Sequence, residues 1–385
     1  MQQQEELCFY KFSTATEPTA KQTITFRLNI DDFILPPNTT ASLIESVFIT
    51  ASFTLWSKDE GFKMERQKDT NIWNLAKPLG ETRVPGNSGF PEFNFLIFTE
   101  DKAFNLSGET PLSQKTLQTY SPTAKSFCGN FVILNEEETA CFTELKAHEK
   151  ELLKIQSLKD YDLKNPDERK RISNVRKVPH TTQLWRGYHP YKKSRPNFDT
   201  ENTRLKLVNK LIKQNRIKSI ITLCGNERPE KALKENISHY VQKIQRQNNQ
   251  LFIDTSYETV YFLSHSKEFS NVLTEISLFM LSHLAPFYIH CRLGSDRTGT
   301  ISAVFAALCG AAWAEITQDY EKTSKAGFGE FRSKRLLEYS FTKLLGKNPN
   351  EYDNLQAEIE DYFIRQGILS KVQIEKLQKK LKQNL

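Results

Sequence analysis

The chain has 385 residues, of which 38% are hydrophobic and 26% charged, and its formal net charge is +7 at neutral pH. That length predicts two domains, each large enough to bury a core, and the composition excludes a disordered or fibrous chain. Six scattered cysteines (8, 128, 141, 224, 291 and 309) argue against a zinc cluster and for a reducing compartment.

The opening residues MQQQEELCFYKF lack the apolar run of a secretory signal, and the longest apolar tract, 303–314, is too short to cross a bilayer core of about 30 Å. The expected location is the cytoplasm, or the cytosol of another cell reached by a non-classical export route, with any membrane contact peripheral. Mild basicity suits an acidic substrate or an anionic membrane surface. The basic residues lack interleaved aromatics, so no nucleic-acid partner is expected.

From 22 to 140 the apolar runs are strand-like: Thr23–Ile30, Ser46–Trp56, Phe93–Phe98 and Asn130–Leu134, separated by segments rich in Pro, Gly, Asn and Ser. This predicts a β-rich N-terminal domain over 1–145, which carries no chemical motif. A charged helix over Glu138–Leu158 and a linker over Lys159–Lys177 lead, within 146–179, to the second domain.

From 180 to 348 strands and helices alternate. Strands are predicted at Gln183–Gly187, Ser219–Cys224 and Gln250–Asp254, and helices at Thr203–Lys213, Pro229–Arg246 and Tyr257–Leu284, the last broken near Ser264. Such alternation predicts an α/β fold, a largely parallel sheet with helices on both faces, whose site lies at the carboxyl ends of the strands. Further helices are expected at Glu315–Tyr320 and Phe331–Leu345. Lys325, Arg332, Lys334 and Arg335 there could form a rim for an anionic headgroup. The stretch 349–385 reads as a helical basic tail interrupted at Gly367.

The residues that carry chemistry lie in Ala285–Gly310. The apolar run Phe287-Tyr288-Ile289 reads as a buried strand, and Ile301, Val304, Phe305 and Leu308 recur at helical spacing after Thr298. A loop passing from a strand into a helix N-terminus aims backbone N–H groups and the positive end of the helix dipole at one point, which favours a phosphate dianion. Cys291 opens this loop and Arg297 closes it. The helix N-terminus and the guanidinium both favour the nucleophilic thiolate over the thiol. Arg297 can hold two phosphoryl oxygens through its planar fork, Gly294 allows a left-handed turn or a close backbone approach, and Thr298 can donate to the sulfur. His290 is expected to fix the loop through its ring hydrogen bonds.

His290-Cys291-Arg292-Leu293-Gly294-Ser295-Asp296-Arg297-Thr298-Gly299 resembles the His-Cys-x5-Arg-Thr-Gly signature of the protein tyrosine phosphatase superfamily. The resemblance covers roughly 180–345. It implies a cysteine-dependent phosphatase working through a phospho-cysteine intermediate, with no metal and no cofactor, whose loop residues Arg292, Leu293, Gly294, Ser295 and Thr298 bind substrate.

Two carboxylates compete for the general-acid role. Asp254 follows the strand Leu251-Phe252-Ile253, and in the phosphatase and tensin homologue branch, which this region resembles, an aspartate follows the corresponding strand at a similar distance. Asp296 precedes Arg297 inside the loop, as in the Asp-Arg-Thr of myotubularin and Sac-type phosphoinositide phosphatases, which the chain resembles there. Cys224 ends a neighbouring strand, and the resemblance implies that it can pair with Cys291 and protect it from overoxidation. Arg292 stands where the tensin-homologue branch has a lysine that contacts an extra inositol phosphate, whereas Ser295 departs from that branch, which has another lysine there. A phosphoinositide is therefore the first expected substrate, a phosphotyrosine protein the second, and a silent phosphate-binding pseudophosphatase the reading from another class.

Overall fold

The computed structural model describes residues 9–13, 22–106, 118–121, 130–225 and 237–383. They divide into two compact units, Met1–Leu145 and Lys146–Leu385.

In the first unit, strand Thr23–Asn29 alternates so that Ile24, Phe26 and Leu28 face inward. It pairs antiparallel with Tyr10–Phe12 and Ile72–Pro78, and Glu65–Arg66 completes a four-stranded sheet. In a second sheet Glu92–Thr99 pairs antiparallel with Ile44–Ala51, Ala103–Leu106 and Asn130–Phe131, and Gln118–Ser121 and Phe33–Ile34 extend it. The inner faces share one core, where Phe26 meets Phe93 edge-on with ring centroids 5.0 Å apart. The strand expected to reach Trp56 stops at Ala51. The chain turns through a short helix there, Trp56 N–H returns to the Ala51 carbonyl, and Leu55 and Trp56 take φ of 51° and 58°.

The second unit is built on a five-stranded sheet in the order Arg176–Lys177, Leu184–Gly187, Phe287–His290, Ser219–Thr222, Gln250–Phe252. The last four are parallel and the first is an antiparallel edge. Phe287–His290 is central and wholly buried, which accounts for its apolar run Phe287-Tyr288-Ile289. Ile220 and Tyr288 share a core with Leu205, Val208 and Ile212 of helix Glu201–Gln214 and with Val241 and Ile244 of helix His239–Arg246. Helix Asp296–Leu308 packs on the strands Phe287–His290 and Leu184–Gly187. The predicted break near Ser264 separates helices Tyr257–Tyr261 and Lys267–Ser282, the second capped by the Ser266 hydroxyl.

Some expectations need correction. The stretch read as a linker, Lys159–Lys177, instead holds helix Pro166–Ser173 and the edge strand, and Ile172 and Val175 are buried in the second unit. Its charges occupy one solvated helix face, so composition alone hid the buried one. The tail forms helices Leu355–Arg365 and Lys371–Lys382, with Ile359, Phe363, Leu377 and Leu381 buried. Backbone N–H groups of Thr182 and Gln183 both bond the Leu381 carbonyl, which ties the tail to the sheet. The helix expected from Phe331 starts at Lys334, where Ser333 accepts the Arg335 N–H. The first part of the helix predicted over Pro229–Arg246 lies outside the described residues. No helix among those described is long and apolar enough to cross a membrane.

Candidate active site

Parallel pairing brings four chain segments out at the same end of the sheet. His189 follows strand Leu184–Gly187, Cys291 follows Phe287–His290, Cys224 follows Ser219–Thr222, and Asp254 follows Gln250–Phe252. Leu223 N–H bonds the His290 carbonyl at 2.9 Å, and Cys224 and Asp254 form a backbone bridge, so adjacent strands carry the register across to Asp254. This convergence at strand carboxyl ends is where an open α/β sheet places its ligand.

Cys291 is buried, at 3% exposure, at the start of the loop. Gly294 takes φ of 78°, the left-handed region that favours glycine, and a Cβ there would strike the Gly187 carbonyl. Ser295 is the N-cap of helix Asp296–Leu308, and Gly299 N–H returns to its carbonyl at 2.7 Å. The N–H groups of the first helical turn are thereby left for a ligand. The Leu293 side chain belongs to the core, so its contribution to the loop is through the backbone. Among the described residues the buried Thr298 hydroxyl has no hydrogen-bond partner, and the expected bond to the cysteine sulfur is not made.

His290 has a defined protonation state. Its Nδ1 lies 3.0 Å from the Cys291 carbonyl, which can only accept, so Nδ1 carries the proton. Its Nε2 then accepts from Thr222 Oγ1 at 3.0 Å, and that hydroxyl accepts from Gln250 Nε2 at 2.9 Å. Burial, with a smaller contribution from Arg297, pulls the imidazole down to about 4, although its bond to the Cys291 carbonyl works the other way. Neutral His290 fixes the loop. His189 packs against it with ring centroids 4.6 Å apart and accepts the N–H groups of Tyr191 and Lys192 at Nδ1.

His189, Cys224 and His290 place one potential ligand atom each within 4.8 Å of one another. Such donors suit a soft or borderline metal. Both imidazoles are already engaged, however: His189 Nδ1 accepts N–H groups, which leaves the proton of the neutral ring on Nε2.

The two aspartates differ. Asp254 is exposed at its strand end, and Arg297 Nη1 donates to the carbonyl of the next residue, Thr255, at 3.0 Å. Asp296 Oδ1 accepts from Arg332 Nε at 2.6 Å and from Tyr261 Oη at 3.0 Å. Burial opposes the Arg332 charge, but the Asp296 carboxylate outweighs it and holds the guanidinium well above its ordinary value. Arg332, read from sequence as part of a cationic rim, is instead a buried partner of Asp296 and Glu330. A basic residue between Phe331 and Ser333 gave no sign of this.

Arg292 is exposed, and its Nη2 lies 3.5 Å from the Ser194 carbonyl, while its own carbonyl accepts from His189 N–H. Among the described residues no carboxylate pairs with Arg292 or Arg297. Residues that pattern reading passed over complete the surroundings: His189, Asn174, Asp319 and Tyr261. Each lies far from the signature in sequence and reaches it only through sheet order and packing.

A thiol at the mouth of an N–H-lined loop, with an arginine closing it, defines a cysteine-dependent phosphate-ester site. A family model described as the tyrosine phosphatase family matches residues 140–383. The chain belongs to that family and is a phosphatase, a phosphoric monoester hydrolase. The match begins before, and ends beyond, the 180–345 expected from the motifs, and it takes in the tail. The core catalytic domain of the PP-IP phosphatase Siw14 from S. cerevisiae, in complex with citrate, is 18% identical, over 51% of this chain and 94% of that chain, with a TM-score of 0.30. A second structure of the Siw14 catalytic core is 18% identical over 51% of this chain and 93% of that chain, with a TM-score of 0.31. No curated protein matches the chain.

Proposed function

We propose that the enzyme removes a phosphate from phosphoinositides, with Cys291 as nucleophile, Arg297 and the loop amides binding the transferred phosphoryl group, and Asp254 as general acid. The sulfur attacks phosphorus while Asp254 protonates the departing oxygen, and water then hydrolyses the phospho-cysteine. Asp254 is preferred to Asp296 because the Asp296 carboxylate is committed to Arg332 and Tyr261. Arg332 Nη2 also reaches the other Asp296 oxygen at 3.5 Å, so both oxygens already accept from the scaffold.

One observation carries the substrate class. Arg292 lies directly after the nucleophile, exposed and with no carboxylate partner among the described residues. A guanidinium so placed suits a second phosphate on the same substrate. The mild positive charge of the chain agrees with a polyanionic partner.

The test is phosphate release by the native enzyme and by Cys291→Ser on phosphoinositides in vesicles, soluble inositol phosphates and phosphotyrosine peptides. Release from the lipids that vanishes in the variant is expected. Preference for peptides overturns the substrate class, and release that survives in Cys291→Ser overturns the nucleophile.

A further inference from the structure

A loop can turn its amide groups inward to a phosphate only if its carbonyl groups are held outward. Two of these carbonyls are fastened from behind. Asn174 Nδ2 donates to the Leu293 carbonyl at 3.0 Å, and Arg186 Nη2 donates to the Gly294 carbonyl at 2.8 Å. Both donors are themselves held. Arg186 Nη1 donates to Asp319 Oδ2 at 2.9 Å, and Asp319 Oδ1 accepts from Arg176 Nε at 2.6 Å. Arg176 Nη1 donates to the Asn174 main-chain carbonyl at 3.1 Å and also to its side-chain oxygen, which closes the ring of four. The members come from the end of helix Pro166–Ser173, from two strands and from helix Trp313–Glu321.

The ring is costly in itself. Arg186 is 1% exposed and Asp319 5%, and the Arg186 Nε has no hydrogen-bond partner among the described residues. Buried ion pairs commonly add less stability than apolar residues of the same volume would. Their location suggests another use. Helix Asp296–Leu308 accommodates them, since a Cβ on Gly299 would lie 3.2 Å from Arg186 Nη2 and closer still to the Tyr320 ring. The glycine of the Thr-Gly pair thus lets a guanidinium come up behind the loop. Burial and the neighbouring Arg176 charge pull Arg186 down to about 10, so it is a cation at neutral pH.

We propose that Arg186 is a positioning residue for phosphoryl transfer: it holds the Gly294 carbonyl outward, and its buried positive charge adds to the field on the Cys291 sulfur and the bound phosphoryl group from the closed side of the loop. This rests on Cys291 being the nucleophile. Arg297 serves from the open side, and Asn174 is the weaker, uncharged half of the same brace.

The test uses the full chain and Arg186→Met, Arg186→Lys and Asn174→Gly. The last removes the amide while keeping the left-handed freedom needed at φ of 57°. The readouts are the pH dependence of Cys291 alkylation by iodoacetamide, followed by peptide mass spectrometry, kcat and KM with p-nitrophenyl phosphate, and thermal melting. Arg186→Met is expected to move the alkylation profile to higher pH and lower kcat by about 100-fold with a smaller change in KM. Arg186→Lys should restore most of the profile but only part of kcat, because one ammonium cannot replace the two-armed fork. Asn174→Gly should lower kcat several-fold and leave the profile in place.

A folded Arg186→Met with native profile and native kcat overturns the proposal. If that variant does not fold, Asn174→Gly decides, and native kcat there overturns it. If the native enzyme hydrolyses nothing yet the alkylation profile shifts in Arg186→Met, the brace stands and the phosphatase mechanism assigned to Cys291 fails.

Discussion

Arg332 donates its Nε proton to Asp296 Oδ1 across 2.6 Å, one residue before the arginine that closes the signature loop. Tyr261 donates to the same oxygen and meets Tyr320 hydroxyl to hydroxyl at 2.5 Å. The pair thereby joins the short helix after Asp254 to the start of helix Asp296–Leu308. Asp296 is a joint in the scaffold, and Asp254 stands clear of it at the strand end.

The two aspartates should therefore fail differently. Asp296→Asn leaves a buried guanidinium with Glu330 as its remaining carboxylate, and should lower stability by about 3 kcal/mol in urea unfolding. Asp254→Asn should leave the unfolding midpoint in place but lower kcat by about 100-fold or more on alkyl phosphates, whose leaving oxygen needs a proton. With p-nitrophenyl phosphate, a good leaving group, the loss should be small. Equal losses on both substrates for Asp254→Asn would remove it from the acid role.

A second prediction concerns pH and stability. Burial first, then His290 and Lys192, hold His189 well below its ordinary value, while His290 is held down to about 4. The unfolded chain takes up protons on these rings near pH 6.5, whereas in the folded chain both resist below that value, His290 until about pH 4, so unfolding absorbs protons as the pH falls. Stability from this source is complete above pH 6.5 and falls as the pH drops toward 4. The His290 shift alone corresponds to a loss on the order of 3 kcal/mol at the acid end. His189→Asn keeps an acceptor for the Tyr191 and Lys192 N–H groups without a titrating ring. Its melting temperature should decline less between pH 7 and pH 5 than that of the native enzyme, and parallel declines would exclude His189 as a source.

Gly294 was legible in the sequence as a turn or close-approach glycine, and the structure supplies what it avoids. Gly294→Ala adds a Cβ against the Gly187 carbonyl at a φ of 78°. It should lower stability by more than about 2 kcal/mol and abolish turnover, since the strain falls on the loop itself. Gly346→Ala is the matched control: φ is 95°, and none of the described residues beyond its chain neighbours lies within 4 Å of the added carbon. It should lower stability by about 1 kcal/mol and leave kcat unchanged. Equal effects at the two positions would mean that the close approach of Gly187 is unimportant.

Local signals made the catalytic half of the chain readable. The run Phe287-Tyr288-Ile289, the alternating strands and helices, and the Cys291 to Arg297 spacing all follow from periodicity and turn chemistry within a few residues. Arg332 and Asp319 were beyond such reading, because each owes its role to a carboxylate or guanidinium more than 30 residues away that only folding brings near. The Lys159–Lys177 stretch misled for a related reason. Its buried Ile172 and Val175 are two residues among many charges, and their burial depends on the strand beside which they settle.

The exposed Arg292 gives the most direct handle on substrate. Among the described residues its guanidinium makes a single long contact, to the Ser194 carbonyl, so removing it should cost little stability. Arg292→Ala should leave kcat/KM for p-nitrophenyl phosphate within twofold of native, since that substrate has only the phosphate held by the loop. On a phosphoinositide with two or more ring phosphates it should lower kcat/KM by about 10-fold, the equivalent of one charge-assisted hydrogen bond. The loss should appear in KM if Arg292 holds the second phosphate equally in ground and transition states, and in kcat if it aligns the ring for attack by Cys291. Equal effects on both substrates would place Arg292 in the support of the loop and remove the main argument for a polyphosphorylated substrate.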